Sequence, residues 1–349
     1  MERKKTAVIF GGNSTEYEVS LQSAYAVLTH LDSLKYDIIP IGITRKGEWY
    51  HYRGETEKIA DNTWISDRKN LHPILFSPDP SVKGFLGLEG DCPVTKVDFV
   101  FPVLHGKNGE DGTIQGIFEM AGIPVIGCGT LSSALCMDKD RAHKLASLAG
   151  ISVPKSVVLQ GFCREEGMSK IRETMICPVF VKPVRAGSSF GITRVTDMDR
   201  LSDAIQLAFE HDNEVIVEEA VPGFEVGCAV MGRERLTVGR VDEIELSQGF
   251  FDYTEKYTLK SSKIHMPARI DSETEKRIQR TAAEIYRILG CSGFARVDMF
   301  YTPSGEIVFN EVNTIPGFTD HSRFPNMMKG IGLSFSKMLD KLMGLYDGR

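Results

Sequence analysis

Phe294-Ala295-Arg296-Val297-Asp298-Met299-Phe300-Tyr301, followed after a short turn by Glu306-Ile307-Val308-Phe309-Asn310-Glu311-Val312-Asn313, carries the pattern that decides the fold. Both runs are apolar, with polar residues set among them. Side chains alternate faces along a strand, so Glu311 and Asn313 share one face. Asp298 joins them if the two runs pair as neighbours. Two carboxylates and an amide are hard oxygen donors, and such ligands suit Mg²⁺ held against a nucleotide. The same spacing also fits a solvated strand end. The apolar company favours the metal, because a buried carboxylate needs a partner.

Upstream, Ser272-x-x-Glu275 matches a capping box opening a helix over Ser272–Leu289, with Gly290 as its stop. Pro222-Gly223 marks a hinge or boundary. Before it lie strand patterns near Val153–Leu159, Val179–Lys182, Ile192–Val195 and Glu214–Glu219, and a helix over Arg200–His211. Thr130–Ala149 reads as one helix ending at Gly150. The first third alternates strands (Thr6–Phe10, Asp37–Ile43, Asp98–Leu104) with helices (Val19–Leu31, Thr113–Ala121). That alternation predicts βαβ units around a parallel sheet, open to ligands at the strands' C-terminal edges. Residues between Trp49 and Cys92 are rich in Pro, Gly, Asp and Ser and show no readable pattern.

The chain has 349 residues, 42% hydrophobic and 25% charged, as in ordinary globular proteins, and is long enough for two or three domains. A net charge of −6 argues against a general nucleic-acid or membrane-surface binder, so any phosphate site must be a local basic cluster. The seven cysteines are scattered without a C-x-x-C pair, which fits reduced thiols in a cytoplasm and disfavours zinc. Neither a signal segment nor a membrane span is apparent, and a cytoplasmic protein is expected.

Several loops follow strands in positions where chemistry is done. Gly11-Gly12-Asn13-Ser14-Thr15-Glu16 offers N–H groups to an anion, but Glu16 would repel phosphate and suits the ammonium of a zwitterion. A plain glycine turn with a helix-start acid is the alternative. His105-Gly106-Lys107-Asn108-Gly109-Glu110-Asp111-Gly112 is a glycine-rich loop at a strand end, where a histidine is either structural or ligand-facing. In Phe180-Val181-Lys182-Pro183-Val184-Arg185-Ala186-Gly187-Ser188-Ser189-Phe190-Gly191, Lys182 can reach phosphates beside a loop able to fold over a triphosphate, although this is not a P-loop and also fits a structural hairpin. Glu218-Glu219-Ala220-Val221-Pro222-Gly223-Phe224-Glu225 has the make-up of an adenosine-binding linker or of a solvated acidic turn. Phe250–Tyr257 packs aromatics and charges as a closing lid would, or an anchored loop.

In this order, these segments resemble the D-alanine–D-alanine ligase family of ATP-grasp enzymes from Gly11 to about Pro325, and most of all its vancomycin-resistance ligases of the VanG and VanC kind, which make D-alanyl-D-serine. The resemblance implies an α/β fold, with a Rossmann-like parallel-sheet domain (1–129), a central ATP-grasp subdomain (130–222) and a C-terminal, α+β ATP-grasp subdomain (223–349). It implies ATP as substrate, two Mg²⁺ with Mn²⁺ as a substitute, and a homodimer. Glu16 would hold the first D-alanine's ammonium, with His105 near its carboxylate. Lys139 and Lys182 would bind phosphates, Ser188 would orient lid and substrate, and Glu218, Glu219, Val221 and Glu225 would line the adenosine pocket. Lys256 would contact the γ-phosphate and Tyr257 close the loop. Arg296 would neutralise the acyl phosphate, Asp298, Glu311 and Asn313 would hold the metals, Gly317 would donate to the oxyanion, and Ser322 would bind the second substrate's carboxylate.

Two positions bear on the second substrate. Arg323 stands where ordinary members carry an apolar residue, commonly leucine, and Phe251 where they usually carry tyrosine. An apolar pocket rejects an added hydroxyl only weakly, whereas a site that hydrogen-bonds the hydroxyl discriminates strongly. Arg323 can donate that bond, so D-serine is expected; a surface ion pair with Asp320 is the alternative. A D-alanine–D-alanine ligase and an ATP-dependent carboxylate kinase are the rival functions.

Overall fold

Strand patterns and turn chemistry sort the chain into three sheets. The computed structural model describes residues 3–90, 93–161, 164–187, 190–246 and 262–346. In the first sheet, β1 (Lys4–Gly11) lies between β2 (Tyr36–Ile43) and β7 (Phe99–Pro102), parallel to both. Ala7 through Phe10 are fully buried, as expected of a parallel strand covered on both faces. The expected parallel sheet is present, but it is larger. Residues between Trp49 and Lys96 add β3 (Trp49–Tyr52), β4 (Leu71–Phe76), β5 (Gly84–Gly87) and β6 (Val94–Lys96), all antiparallel. The order is β6-β5-β4-β3-β2-β1-β7.

The second sheet, β10-β9-β11-β8, comprises β8 (Ser156–Gln160), β9 (Val179–Pro183), β10 (Thr193–Val195) and β11 (Glu214–Glu219). It is antiparallel, and helices Arg164–Thr174 and Leu201–Phe209 bury Ile171, Leu201 and Ile205 against Val179, Val181 and Val217. The third sheet, β14-β13-β12-β15-β16, is formed by β12 (Phe224–Gly232), β13 (Leu236–Leu246), β14 (Ser262–His265), β15 (Gly293–Tyr301) and β16 (Ile307–Asn313). Helix Ser272–Ile288 packs Ile278, Ala282, Ile285 and Tyr286 into one of its cores. A second core runs from Tyr17, Leu21 and Phe101 to Phe294, Phe318, Phe324 and Met327, tying the first sheet to the third.

Two expected features of the helices are corrected. Thr130–Ala149 is two helices, Thr130–Met137 and Lys139–Leu148, broken at Asp138. Asp138 takes an extended backbone and its carboxylate accepts from Arg141 N at 2.9 Å, an N-cap that restarts the helix and sets Lys139 at its head. The helix at Ser272 is capped by Asp271, which accepts from Glu273 N and Thr274 N, both at 2.9 Å. Glu275 bonds Arg240 instead. Among the described residues, no helix is long and apolar enough to cross a membrane.

Candidate functional site

Pairing of β15 with β16 sets Asp298 directly opposite Glu311 and Arg296 opposite Asn313. Residues opposite each other share a face, so all four side chains lie together. Arg296 grips Asp298 with Nε 2.8 Å from Oδ1 and Nη2 2.6 Å from Oδ2, and Asn313 Nδ2 donates to Asp298 Oδ2 at 2.9 Å. Lys139 Nζ lies 3.6 Å from Glu311. Burial works to lower the Arg296 pKa, but the charge and hydrogen bonds of Asp298 together with the Asp242 charge outweigh it, and the net shift is upward. Among the described residues no three His, Cys, Asp or Glu side chains converge on one metal position. The oxygen set of two carboxylates and an amide still fits Mg²⁺, which retains water and phosphate ligands of its own.

Beside this cluster, between the second and third sheets, a cavity of about 410 Å³ is lined by Lys139, Lys182, Glu218, Glu219, Val221, Glu225 and Glu311, with Phe180, Ile192 and Phe300 as apolar walls. Seven residues read from four separate stretches therefore meet at one nucleotide-sized space. Lys182 on β9 donates to Glu218 on β11 at 2.6 Å. Burial works to raise the Glu218 carboxyl, and the charge and hydrogen bond of Lys182, with His143 and Lys139, together overcome it and hold the group below its ordinary value. His143 was not singled out in the sequence. Its Nε2 donates to Asn310 O at 2.7 Å and its Nδ1 lies 3.4 Å from Glu218, joining the Lys182–Glu218 pair to β16. Glu243 and Arg269, which bond each other, also line this cavity and carried no sequence signal.

The turn after β1 depends on Gly11, at φ +87°, where a Cβ would strike the Ile43 carbonyl. It delivers Glu16, 8% exposed, to a second cavity of about 950 Å³ shared with Gly106, Arg185 and Gly187. A Cβ on Gly106 or Gly187 would stand 2.7 or 3.3 Å from Glu16 Oε2, so both loops close tightly on that carboxylate. Ser14 donates to His105 O at 2.8 Å and accepts from Glu16 N at 3.1 Å. His105 itself is buried with both ring nitrogens engaged. Nδ1 donates to Ile315 O at 2.8 Å, and Nε2 accepts from Ser23, whose Oγ accepts from Phe318 N at 3.2 Å. Burial lowers the His105 pKa, which favours the neutral imidazole that these bonds accommodate. The ring thus holds the Ile315–Phe318 segment. Glu110 braces the same segment, accepting from Gly106 N at 2.8 Å and Ile315 N at 2.9 Å; burial and the Glu16 charge push its carboxyl up to about 8.

Within that segment, Gly317 packs on Ser322, where a Cβ would come within 2.9 Å of the hydroxyl. Ser322 Oγ accepts from Thr319 N at 3.0 Å. Arg323 heads the helix Arg323–Lys329, a placement that opposes the helix dipole. Carboxylates account for it. Nε and Nη2 bond the two oxygens of Asp242 at 2.7 and 2.8 Å, Nη1 bonds Glu225 at 3.1 Å, and Nη2 lies 3.5 Å from Asp298. The side chain is 8% exposed, so the alternative of a surface pair with Asp320 does not hold. Asp242, 1% exposed on β13, is the partner that sequence reasoning missed. Ser188, Phe251, Lys256 and Tyr257 lie outside the described residues.

Residues 5–128 match the family described as D-ala D-ala ligase N-terminus and residues 145–344 its D-ala D-ala ligase C-terminus. The vancomycin C-type resistance protein VanC1 of Enterococcus gallinarum is 44% identical over 346 residues, covering 99% of this chain and 98% of that protein. A D-alanine–D-alanine ligase of Caldicellulosiruptor bescii is 42% identical over 353 residues, covering 99% and 95%. The crystal structure of the VanG D-Ala:D-Ser ligase from Enterococcus faecalis superposes with a TM-score of 0.94 at 73% identity, covering 99% of this chain and 100% of that one.

Proposed function

The chain belongs to the D-alanine–D-alanine ligase family, and on that premise we propose that it joins D-alanine to D-serine at the expense of ATP, through a D-alanyl phosphate. The dipeptide would enter altered peptidoglycan precursors, and vancomycin resistance would follow from them. The observation that carries the acceptor assignment is Arg323, a buried guanidinium fixed by Asp242 and Glu225 where an apolar residue would serve D-alanine. Its bonds to these acids do not exhaust its N–H donors, and a hydroxyl left unmet beside them would cost affinity.

The residues divide the chemistry in a way that matches the two steps. A carboxylate is a poor electrophile, so its activation is mostly positioning and charge neutralisation. Glu16 would bind the first ammonium, while Lys139 and Lys182 meet phosphate oxygens and Glu218, Glu219, Val221 and Glu225 hold the adenosine. Asp298, Glu311 and Asn313 would bind Mg²⁺, or Mn²⁺ in its place, which screens phosphate charge when bound. Arg296 and the Gly317 amide would face the oxyanion that develops when the second amine attacks. Glu110, His105 and Ser23 hold the segment bearing that amide. Ser322 would bind the acceptor's carboxylate and Arg323 its hydroxyl; Phe251 keeps the substrate-binding role the resemblance implies. Ser188, Lys256 and Tyr257 would keep the roles the resemblance implies: orienting the lid and first substrate, contacting the γ-phosphate, and closing the loop to exclude water.

The same proposal divides the chain at about residues 129 and 222. It places the protein in the cytoplasm as a homodimer, a state that light scattering would test. The described cysteines, all free thiols, fit that compartment. Incubation with ATP, Mg²⁺ and equimolar D-alanine and D-serine tests the activity. D-alanyl-D-serine, ADP and phosphate are expected. D-alanyl-D-alanine as the main product would make the chain a D-alanine–D-alanine ligase, and an acyl phosphate released without dipeptide would make it a kinase.

A further inference from the structure

We infer that Gly227 is a specificity-determining position, the floor of the slot that admits the Arg323 guanidinium. A glycine inside a strand weakens it and usually marks a place where something must come close. Gly227 lies in the interior of β12, is buried, and does not have the left-handed backbone that would itself demand glycine. Its cross-strand neighbours are Asp242 on β13 and Asp298 on β15, so two carboxylates wall it on either side. The guanidinium lies over the gap. A Cβ on residue 227 would overlap Arg323 Nη2 and stand 2.8 Å from Asp242 Oδ1 and 2.9 Å from Asp298 Oδ1. The Gly227 amide also donates to Asp242 Oδ1 at 3.0 Å, aiming the carboxylate that holds the arginine.

Neither the arginine nor the glycine suffices alone. A side chain at 227 fills the slot from below and expels the guanidinium, and an apolar residue at 323 leaves the slot empty. The pair thus decides whether the acceptor meets a donor or an apolar wall. This inference rests on the reading that Arg323 addresses the acceptor's hydroxyl, and it positions that group without touching substrate itself.

A thermal and kinetic cycle over G227A, R323L and the double variant tests it. G227A should raise the KM for D-serine by ~10-fold or more, since a methyl group beneath Arg323 displaces the donor that meets the hydroxyl. The Tm loss caused by G227A should be large beside Arg323 and small in the R323L background, where the slot has room. Should G227A alone fail to fold, folding of G227A/R323L supports the inference. Equal Tm losses in both backgrounds, failure of both variants to fold, or an unchanged KM for D-serine would overturn it. A wild-type protein that forms no D-alanyl-D-serine sinks the acceptor reading instead, and the thermal cycle still reports on the slot.

Discussion

Replacing Arg323 with leucine removes the only cation that bonds Asp242 among the described contacts, and the structure sets the size of the effect. Asp242 is 1% exposed and would keep only the Gly227 amide, at 3.0 Å. Breaking a buried pair by removing one partner costs about 3–5 kcal/mol, because the remaining charge stays buried without its counter-charge. Asp298 suffers less, since Arg296 still grips both its oxygens. At ~2–4 °C per kcal/mol, the Tm should fall on the order of 6–20 °C. A hydrogen bond from a charged donor is worth about 1.5–3 kcal/mol, so the D-serine to D-alanine preference should fall by ~10–100-fold. Dipeptides made from mixed acceptors, separated by chromatography, give the ratio, and thermal unfolding gives the stability. D242N/R323L should regain much of the lost Tm, because a neutral amide tolerates the site that an unpaired carboxylate does not. An R323L protein with unchanged Tm and unchanged product ratio would refute both the buried network and the acceptor assignment. Additive losses in D242N and R323L would refute the pairing alone.

Three further outcomes follow from other parts of the site. E218Q should raise the KM for ATP by ~10–100-fold, because Lys182 loses its charged partner at 2.6 Å; nucleotide titration would show it, and unchanged affinity would remove Glu218 from the cavity's function. Glu110 has a folded pKa pushed up to about 8 from an ordinary 4.5, so in that window the folded protein keeps a proton that the unfolded chain releases. Its contribution is therefore present at low pH and lost as pH climbs toward 8, and E110Q should flatten that part of the Tm–pH curve. An identical slope in both proteins would show that the carboxyl does not titrate there. N313A should abolish Mg²⁺-dependent phosphate release while circular dichroism stays native, and normal turnover would place the metal elsewhere.

What could be read from the chain, and what could not, divides along physical lines. The β15–β16 pair was legible because polar residues two apart, Arg296 and Asp298 on one strand and Glu311 and Asn313 on the other, break apolar runs; the bulge at Asn310, which shifts the register after Asp298, was not. The strands between Trp49 and Lys96 were not, because they are short, partly exposed and interrupted by turn residues, and tertiary pairing rather than local pattern makes them strands. Asp138 lay inside a good helical pattern, and only its capping bond to Arg141 shows why the helix restarts with Lys139 aimed at the site. The residues missed at the site share a different cause. Asp242 is an ordinary acid in a strand and Gly227 an ordinary glycine, and both acquire meaning only when a helix from far along the chain lays Arg323 across them. His143 likewise passes for a core histidine until β11 and β16 bring Glu218 and Asn310 to its two nitrogens. Motifs reveal groups that act on a ligand, because the ligand imposes their type and spacing. Groups that act on those groups answer only to the fold, so a single sequence conceals them even where, as at Gly227, one methyl group would change the site.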